Sequence, residues 1–244
     1  MTTIYDFPAA WYDWGLAVPG KYRLRSMSQV ANRPWQGAVS IKGPHAQLWM
    51  VDMTTAPLQD PNRQDAEAFF SRLRGRAGLL RFADPTKLDC WYNRNTAPAS
   101  SRFSDGTLFS DSTGFVDGLM PPTVYVAQVA AKGSRYLVLK GFPASVVNAL
   151  RRGDPLEIKP NGVPAGFPHR YHAMIGGNTD ASGQIGIQIE PPLRAGVSVG
   201  DTVSLRTAAS VFRLTTDDSG EMEFAAGFMG SISFSLVEAL DLVP

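Results

Sequence analysis

The stretch Arg170–Arg194, RYHAMIGGNTDASGQIGIQIEPPLR, decides how the second half of this 244-residue chain folds. YHAMI and QIGIQI are typical of strands, and GGNTDASG between them is rich in turn residues. Pro191-Pro192 should end the pairing beyond Glu190, because proline has no N–H to donate to a neighbouring strand. The pattern predicts a β-hairpin. Side chains alternate along the returning strand, so three isoleucines should point inward: Ile185, Ile187 and Ile189.

The same stretch, with the residue before it, holds four candidates for a metal or catalytic site: His169, His172, Asp180 and Glu190. Residues three apart on a strand point to opposite faces, so the two histidines should not hold one ion. No His, Cys or Asp pair at zinc spacing lies nearby. Asn178–Gln184 lacks the ligand spacing and terminal Glu of a calcium loop. We therefore expect turn chemistry here, with no metal and no cofactor.

Composition favours a turn-rich β protein whose surface is partly covered by other subunits. Hydrophobic residues make up 44% and charged residues 18%, with 23 glycines and 18 prolines. The net charge of +1 gives no basic field that would indicate a nucleic acid or an anionic membrane as partner. Cys90 is the single cysteine, which excludes an intramolecular disulfide and any Cys-based zinc or iron–sulfur site.

The N-terminal residues resemble no signal peptide, since MTTIYDFPAAWYDWGL has neither a basic start nor a continuous apolar run. No run of about 18 apolar residues predicts a membrane span. The segment is aromatic, and it should pack either on the chain's own core or on a neighbouring subunit. Its aromatic residues are Tyr5, Phe7, Trp11, Tyr12 and Trp14.

Strand patterns follow. In Tyr22–Val30, Tyr22 and Leu24 alternate with Arg23 and Arg25, which should face the other way. GAVSIKG and AQLWMVDMTT are then predicted as two strands separated by a turn at Gly43-Pro44.

One helix is predicted. Asp60 is a residue typical of an N-cap, and Pro61 suits the first helical position. An apolar stripe of helical period follows: Ala66, Phe69, Phe70, Leu73 and Ala77. Gly75 or Gly78 should end the helix in a left-handed cap, before a short strand at LLRFADP. The four arginines in Ser71–Arg81 indicate a solvated face or ion-pair partners across an interface more than a nucleic-acid site.

Residues 90–118 are predicted to form a long polar loop or an edge hairpin. Its regularly spaced carboxylates, Asp105, Asp111 and Asp117, do not by spacing alone form the convergent pair that a glycosidase needs. No G-x-S-x-G, phosphate loop or dinucleotide fingerprint is present. His45 lies in the predicted turn, with no acid evident behind it. The sequence thus offers no catalytic, cofactor-binding or metal-binding residue, and we expect a protein that is not an enzyme.

Residues 121–205 contain short strand patterns separated by turn signals, which favour a small β-barrel or sandwich. PASVVNALRRGD within this block is predicted as a short helix or a turn. After the block, SVFRLTTDD predicts a strand and Thr216–Gly220 a turn. The closing SISFSLVEAL alternates almost perfectly, with Ile232, Phe234 and Leu236 on one face and serines on the other.

Taken in order, these segments resemble the distal tail proteins of siphophage-like tailed bacteriophages and gene transfer agents. The resemblance rests on the element order and on short motifs along nearly the whole chain. They are R-G-R-x-G within FFSRLRGRAGLLRFADP, G-D in LRRGDPLEI, D-A-S-G followed by E-P-P-L-R, and the closing alternating strand that ends in V-E. The loop at residues 90–118 has no clear counterpart.

The resemblance implies a mainly β protein, with a tail-tube-like β-sandwich carrying one packed helix and a long hairpin, and an inserted small β-barrel. We expect the sandwich to comprise residues 1–120 and 206–244, and the barrel residues 121–205. It further implies a virion structural protein made in the bacterial cytoplasm. Copies would form a hexameric ring at the tail tip or baseplate, between the tail tube protein and the tail hub or other tip proteins. The ring would leave a lumen through which DNA passes without specific binding.

Two other functions are compatible with the residues. The barrel could be a binding module for a host-surface glycan or a tip partner, with Phe103, Phe109 and Phe115 as contacts. A glycoside or peptidoglycan hydrolase would instead depend on one of the loop aspartates.

Overall fold

The computed structural model describes residues 3–8, 11, 16–30, 41–91, 123–160, 167–220, 222–224 and 230–240. Within these ranges, side chains are not described at 16–19, 28–30, 41–46 and 222–224. The described strands and the described α-helix, with a 3₁₀ turn after it, follow in chain order: β1 (Ile4–Asp6), β2 (Leu16–Val30), β3 (Ile41–Thr55), α1 (Asn62–Leu73), the 3₁₀ turn (Gly75–Ala77), β4 (Leu79–Ala83), β5 (Val124–Val126), β6 (Tyr136–Lys140), β7 (Pro155–Lys159), β8 (His169–Ile175), β9 (Gln184–Glu190), β10 (Thr202–Ser204), β11 (Ala209–Leu214), β12 (Met222–Phe224) and β13 (Gly230–Glu238).

Contacts divide the chain into two compact units. The sheet unit comprises Met1–Pro85, Gly166–Pro168 and Ala209–Pro244, and the barrel unit comprises Thr86–Ala165 and His169–Ala208. The sequence had placed the boundaries after residues 120 and 205. The structure puts residues 86–91 and 206–208 with the barrel, where backbone hydrogen bonds join Cys90 to Leu205 and Leu88 to Thr207.

The sheet unit is built on one seven-stranded sheet. Its order is β1-β4-β11-β13-β3-β2, with β12 paired to β13. The β1–β4 pair is parallel and the others are antiparallel. The core lies between one face of the sheet and α1, whose Phe70 ring is 5.3 Å from that of Phe234 on β13. This packing confirms the predicted half-buried closing strand, because Ile232, Phe234 and Leu236 are buried.

The aromatic N-terminal segment packs on the chain's own core, which was one of the two alternatives. Phe7 and Trp11 are buried, with ring centroids 5.1 Å apart in an edge-to-face arrangement. Phe7 also lies edge-on to Phe82 of β4, at 4.8 Å. Aromatic pairs of this geometry add to the free energy gained by burial. Tyr12 and Trp14 lie outside the described residues.

Helix α1 lies where the apolar stripe predicted it as far as Leu73, with Ala66, Phe70 and Leu73 buried. Ala77, the last residue of the predicted stripe, is exposed in the 3₁₀ turn beyond the helix, and the left-handed cap is Arg74 rather than Gly75 or Gly78. The N-cap is Pro61 rather than the predicted Asp60, and no side chain caps the first turn. Asp60 instead forms an ion pair with Arg63 at 3.1 Å, so its carboxylate is turned to a side chain.

The predicted turn at Gly43-Pro44 is wrong. Strand β3 runs without interruption from Ile41 to Thr55 and pairs with β2 along its length. The pairing shifts between Met27 and Gln29, which lie opposite Ala46 and Lys42. The shift places extra residues on β3 around Pro44, so the proline is accommodated by an irregularity within a long hairpin.

The barrel unit is a closed six-stranded antiparallel barrel of order β10-β5-β6-β9-β8-β7. The three isoleucines of β9 are buried in its interior, as the alternation predicted. Cys90 is fully buried in the same core. PASVVNALRRGD forms turns rather than a helix, with Ser145 and Asn148 in left-handed conformations.

The mainly β class, a helix packed on the sheet and the small barrel are thus confirmed. The tail-tube-like sandwich stays a prediction, because the described strands of the sheet unit form one sheet. No helix in the described ranges is long and apolar enough to cross a membrane.

Candidate functional site

The polar side chains in the turn of the β8–β9 hairpin hydrogen-bond within the turn itself. One carboxylate oxygen of Asp180, Oδ1, accepts hydrogen bonds from the backbone nitrogen of Ser182 (2.8 Å), the Ser182 hydroxyl (2.7 Å) and the backbone nitrogen of Gln184 (2.8 Å). These bonds, that of Gln184 foremost, hold the pKa of Asp180 below its usual value. The carboxylate is therefore engaged in closing the turn, as the residue pattern predicted.

His169 and His172 both lie on β8 but on opposite faces. His169 has the same alternation as the core residue Tyr171, whereas His172 has that of Arg170. Burial, then the charges of Arg170 and Lys87, lower the pKa of His172 to about 3. Burial and the charge of Arg194 lower the pKa of His169 to about 4. Both imidazoles are neutral at pH 7, and the strand geometry does not bring them to one ion.

The remaining hairpin candidate, Glu190, forms an ion pair with Arg135 at 3.4 Å on the outside of the barrel. Among the described residues, no three His, Cys, Asp or Glu side chains come together in a way that would hold a metal ion. Asp180 therefore closes the turn, and His169 lies on the face of β8 that points into the barrel. His172 and Glu190 lie on the outer face of the barrel.

A second cluster fixes the chain just before residues 92–122. Asp154, which is buried, accepts hydrogen bonds from the backbone nitrogens of Trp91 (3.0 Å) and Arg151 (2.7 Å). The Arg151 guanidinium lies 3.5 Å from the centre of the Trp91 ring, a cation–π contact.

The three candidate aspartates and the three candidate phenylalanines of the loop at residues 90–118 lie outside the described residues, as does the side chain of His45.

The arginine-rich end of α1 is held by contacts within the sheet unit. Arg72 lies over the Tyr5 ring at 5.6 Å, and Arg81 pairs with Asp6 at 3.8 Å. The backbone nitrogen of Arg76 donates to Asp217 at 2.9 Å. The guanidiniums of Arg72 and Arg81 therefore have partners within the sheet unit.

Steric crowding explains why both glycines of the R-G-R-x-G motif have no side chain. Gly75 has φ +62°, and a Cβ there would lie 2.5 Å from the Asp217 carboxylate. A Cβ on Gly78 would lie 2.2 Å from the carbonyl oxygen of Leu73. The motif is therefore a tight helix exit that docks on the turn between β11 and β12.

The face of the sheet opposite the core carries a polar surface that the sequence had indicated only in part. Its members on β2, β3, β13 and the end of β11, here called the polar face, are Lys21, Arg23, Arg25, Asp52, Thr54, Ser233, Ser235 and Thr215. Asp52 accepts a hydrogen bond from Ser235 (2.8 Å) and pairs with Arg23 (3.2 Å). Thr54 and Ser233 share a hydrogen bond of 3.0 Å.

Register explains why these residues meet. Arg23 lies opposite Met50, Met50 opposite Val237, and Val237 opposite Arg213, so that one row crosses four strands. The alternation of Arg23 and Arg25 with Tyr22 and Leu24 was visible in the sequence. The strand order that adds serines and threonines to the same face was not.

The sheet also ends in two edges. Among the described strands, none lies beyond β2 on one side or beyond β1 on the other. The β2 edge is 15 residues long, whereas β1 has three residues. A long edge strand is a surface on which another strand can pair.

The sequence matches no protein-family model and no curated protein.

Proposed function

We propose that this chain is a virion structural protein, a distal tail protein whose copies close a hexameric ring at the tail tip of a phage-like particle. The observation that carries the proposal is the pair of dissimilar sheet edges, β2 and β1, on one unit. The element order and motifs of the distal tail proteins support the same assignment. The proposal includes no catalytic activity.

Dissimilar edges favour a ring over a two-fold dimer. A contact between the β2 edge of one copy and a different surface of the next is head-to-tail, and such contacts form a ring when the rotation closes. Pairing across the interface would also cover the 15-residue edge, which in a monomer promotes aggregation.

In the proposed ring, one end contacts the tail tube protein and the other the tail hub or other tip proteins. The polar face suits a water-filled lumen because its charged and hydroxyl side chains need no covering layer, whereas the opposite face is buried under α1. Synthesis would take place in the cytoplasm of the bacterial host.

Ring formation is tested by negative-stain imaging and sedimentation of the purified chain over a range of concentrations. Rings of six-fold symmetry are expected. A strictly monomeric protein at high concentration, absent from purified particles by mass spectrometry, would contradict the proposal.

Two neighbouring proline substitutions test whether the β2 edge forms the contact. Successive N–H groups of a strand point to opposite sides, so one of Arg25 and Ser26 directs its N–H to β3 and the other outward. Both side chains are exposed. Of Arg25→Pro and Ser26→Pro, one should destabilise the sheet unit, while the other should leave its unfolding unchanged but abolish rings. Rings that persist in the stably folded variant would exclude this edge.

A further inference from the structure

Three cationic side chains lie in a row on the polar face. Lys21, Arg23 and Arg25 alternate along β2 and are exposed, while Tyr22 and Leu24 between them pack against the core. Alternate side chains of a strand are about 7 Å apart, so the row is about 14 Å long. Side chains stand roughly perpendicular to a sheet, so the row projects from the face and leaves the edge of β2 accessible.

Negative charge on this part of the face is small. Asp52 is the one carboxylate that the described residues of β2, β3 and β13 place there. One of its oxygens lies 3.2 Å from the Arg23 guanidinium, and the other accepts the Ser235 hydrogen bond. Asp52 also lies opposite Lys21 in the pairing of β2 with β3, so this one carboxylate is shared by Lys21 and Arg23, whereas Arg25 has no ion pair among the described residues. Arg213, half-buried in the same row as Arg23, adds a further cation.

We propose that the polar face binds the phosphate backbone of double-stranded DNA without reading its sequence. Arginine, lysine, serine and threonine side chains are the groups that contact phosphates and sugars in protein–DNA complexes. The face offers cations in a straight row beside the hydroxyls of Thr54 and Ser233.

The face suits a duplex better than a single strand. Single-stranded nucleic acids bind on surfaces where aromatic side chains stack with the bases. The described residues of β2, β3, β11 and β13 place their aromatic side chains on the opposite face, in the core: Tyr22, Trp49, Phe212 and Phe234. A broad sheet face also does not enter a groove to reach base edges, so the expected contacts are to the backbone alone.

This inference rests on the proposed function for its setting, a ring through which DNA passes. It adds a contact between the lumen surface and the DNA, where the family resemblance implied passage only. Weak contacts that ignore sequence allow a protein to slide along DNA, which is compatible with passage.

The test measures binding of a fluorescent 30-base-pair duplex to the full chain by polarisation, at several salt concentrations. The oligomeric state of each sample is measured by sedimentation. The variant Lys21→Gln/Arg23→Gln/Arg25→Gln removes the row. The matched control, Lys132→Gln/Arg135→Gln/Arg152→Gln, removes three exposed cations from the barrel unit and changes the net charge equally. Thermal unfolding verifies that both variants are folded.

We expect the wild-type chain and the barrel control to bind the duplex, with affinity falling about 40-fold between 50 and 200 mM salt if the three cations contact phosphates. The row variant should lose that salt-dependent binding. No binding by the wild-type chain at 50 mM salt, or equal binding by the two variants, would overturn the inference. Rings without DNA binding would reject this inference alone, whereas binding by a protein that forms no rings would reject the proposed function alone.

Discussion

A guanidinium nitrogen of Arg170, Nη2, lies 3.3 Å from Nε2 of His172 on strand β8 of the barrel. Because guanidinium nitrogens only donate, Nε2 of His172 is the acceptor, and the imidazole is neutral. A proton on His172 would remove this acceptor and place two positive charges side by side, near Lys87 as well. The barrel therefore depends on a deprotonated histidine.

We expect acid to destabilise the barrel unit. The pKa values of His172 and His169 in the folded chain, about 3 and about 4, lie below the ordinary value of 6.5. As the pH falls below 6.5, the unfolded chain binds protons that the folded chain does not, so stability is lost from about pH 6.5 down to about pH 4 for His169 and about pH 3 for His172. At pH 5 each histidine should lower the free energy of unfolding by about 2 kcal/mol. Urea denaturation at pH 7 and pH 5 measures this loss.

The variant His172→Gln separates this effect from the titration of carboxylates. The glutamine amide oxygen can accept the Arg170 hydrogen bond and does not titrate. The loss of stability between pH 7 and pH 5 should be about 2 kcal/mol smaller than in the wild-type chain. An unchanged pH dependence would show that His172 is charged, or solvated, in the folded protein.

The hairpin turn should tolerate no side chain at Gly183. This residue has φ +72°, and a Cβ there would lie 2.1 Å from the carbonyl oxygen of Phe142. Gly183→Ala combines left-handed strain of about 1–2 kcal/mol with that backbone clash. Gly133→Ala is the control, since Gly133 has φ +86° but no atom within 4 Å of the added carbon. Gly183→Ala should lower the unfolding midpoint clearly more, and equal effects would contradict the clash.

The two faces of β13 should differ sharply in their contribution to stability. Phe234 is buried among the core rings, whereas Ser233 on the polar face is exposed. Phe234→Ala should lower the free energy of unfolding by about 3–5 kcal/mol, the range for large aromatic truncations. Ser233→Ala should change it by no more than about 0.5 kcal/mol. Chemical denaturation of both variants is the measurement, and similar values would mean that the strand is not half-buried.

Much of this fold follows from local alternation, and the residues of β13 and β9 illustrate it. Apolar side chains two apart specify a buried face, so Phe234 and Ile187 could be placed inward before any strand partner was known. The uninterrupted β3 could not be predicted, because Gly43-Pro44 is a strong turn signal locally and only the pairing with β2 overrides it.

The polar face could be predicted less fully from the sequence, because it depends on the order of the strands in the sheet. The row from Arg23 to Arg213 joins positions far apart in the chain, and only the strand order β11-β13-β3-β2 makes them neighbours. His169 and His172 were candidates because histidine is a common metal ligand and catalytic residue. Residue type alone does not distinguish a histidine buried in a strand from one in a functional site. The three-residue β1 carries too short a pattern to predict a strand.

The exit of helix α1 should depend on Asp217. One oxygen of this carboxylate accepts the hydrogen bond from the backbone nitrogen of Arg76, at 2.9 Å, and so ties the helix end to the turn between β11 and β12. Asp217→Ala removes the acceptor at an exposed position, where water can replace it, so the free energy of unfolding should fall by only about 1 kcal/mol. Asp218→Ala is the control, because Asp218 is an exposed neighbour with the same charge. Hydrogen exchange of the Arg76 amide should accelerate in the Asp217 variant and not in the control, since only the first loses the partner of that N–H. Equal exchange in both variants would show that the turn is held to the helix by packing of Gly220 against Phe70 and not by the carboxylate.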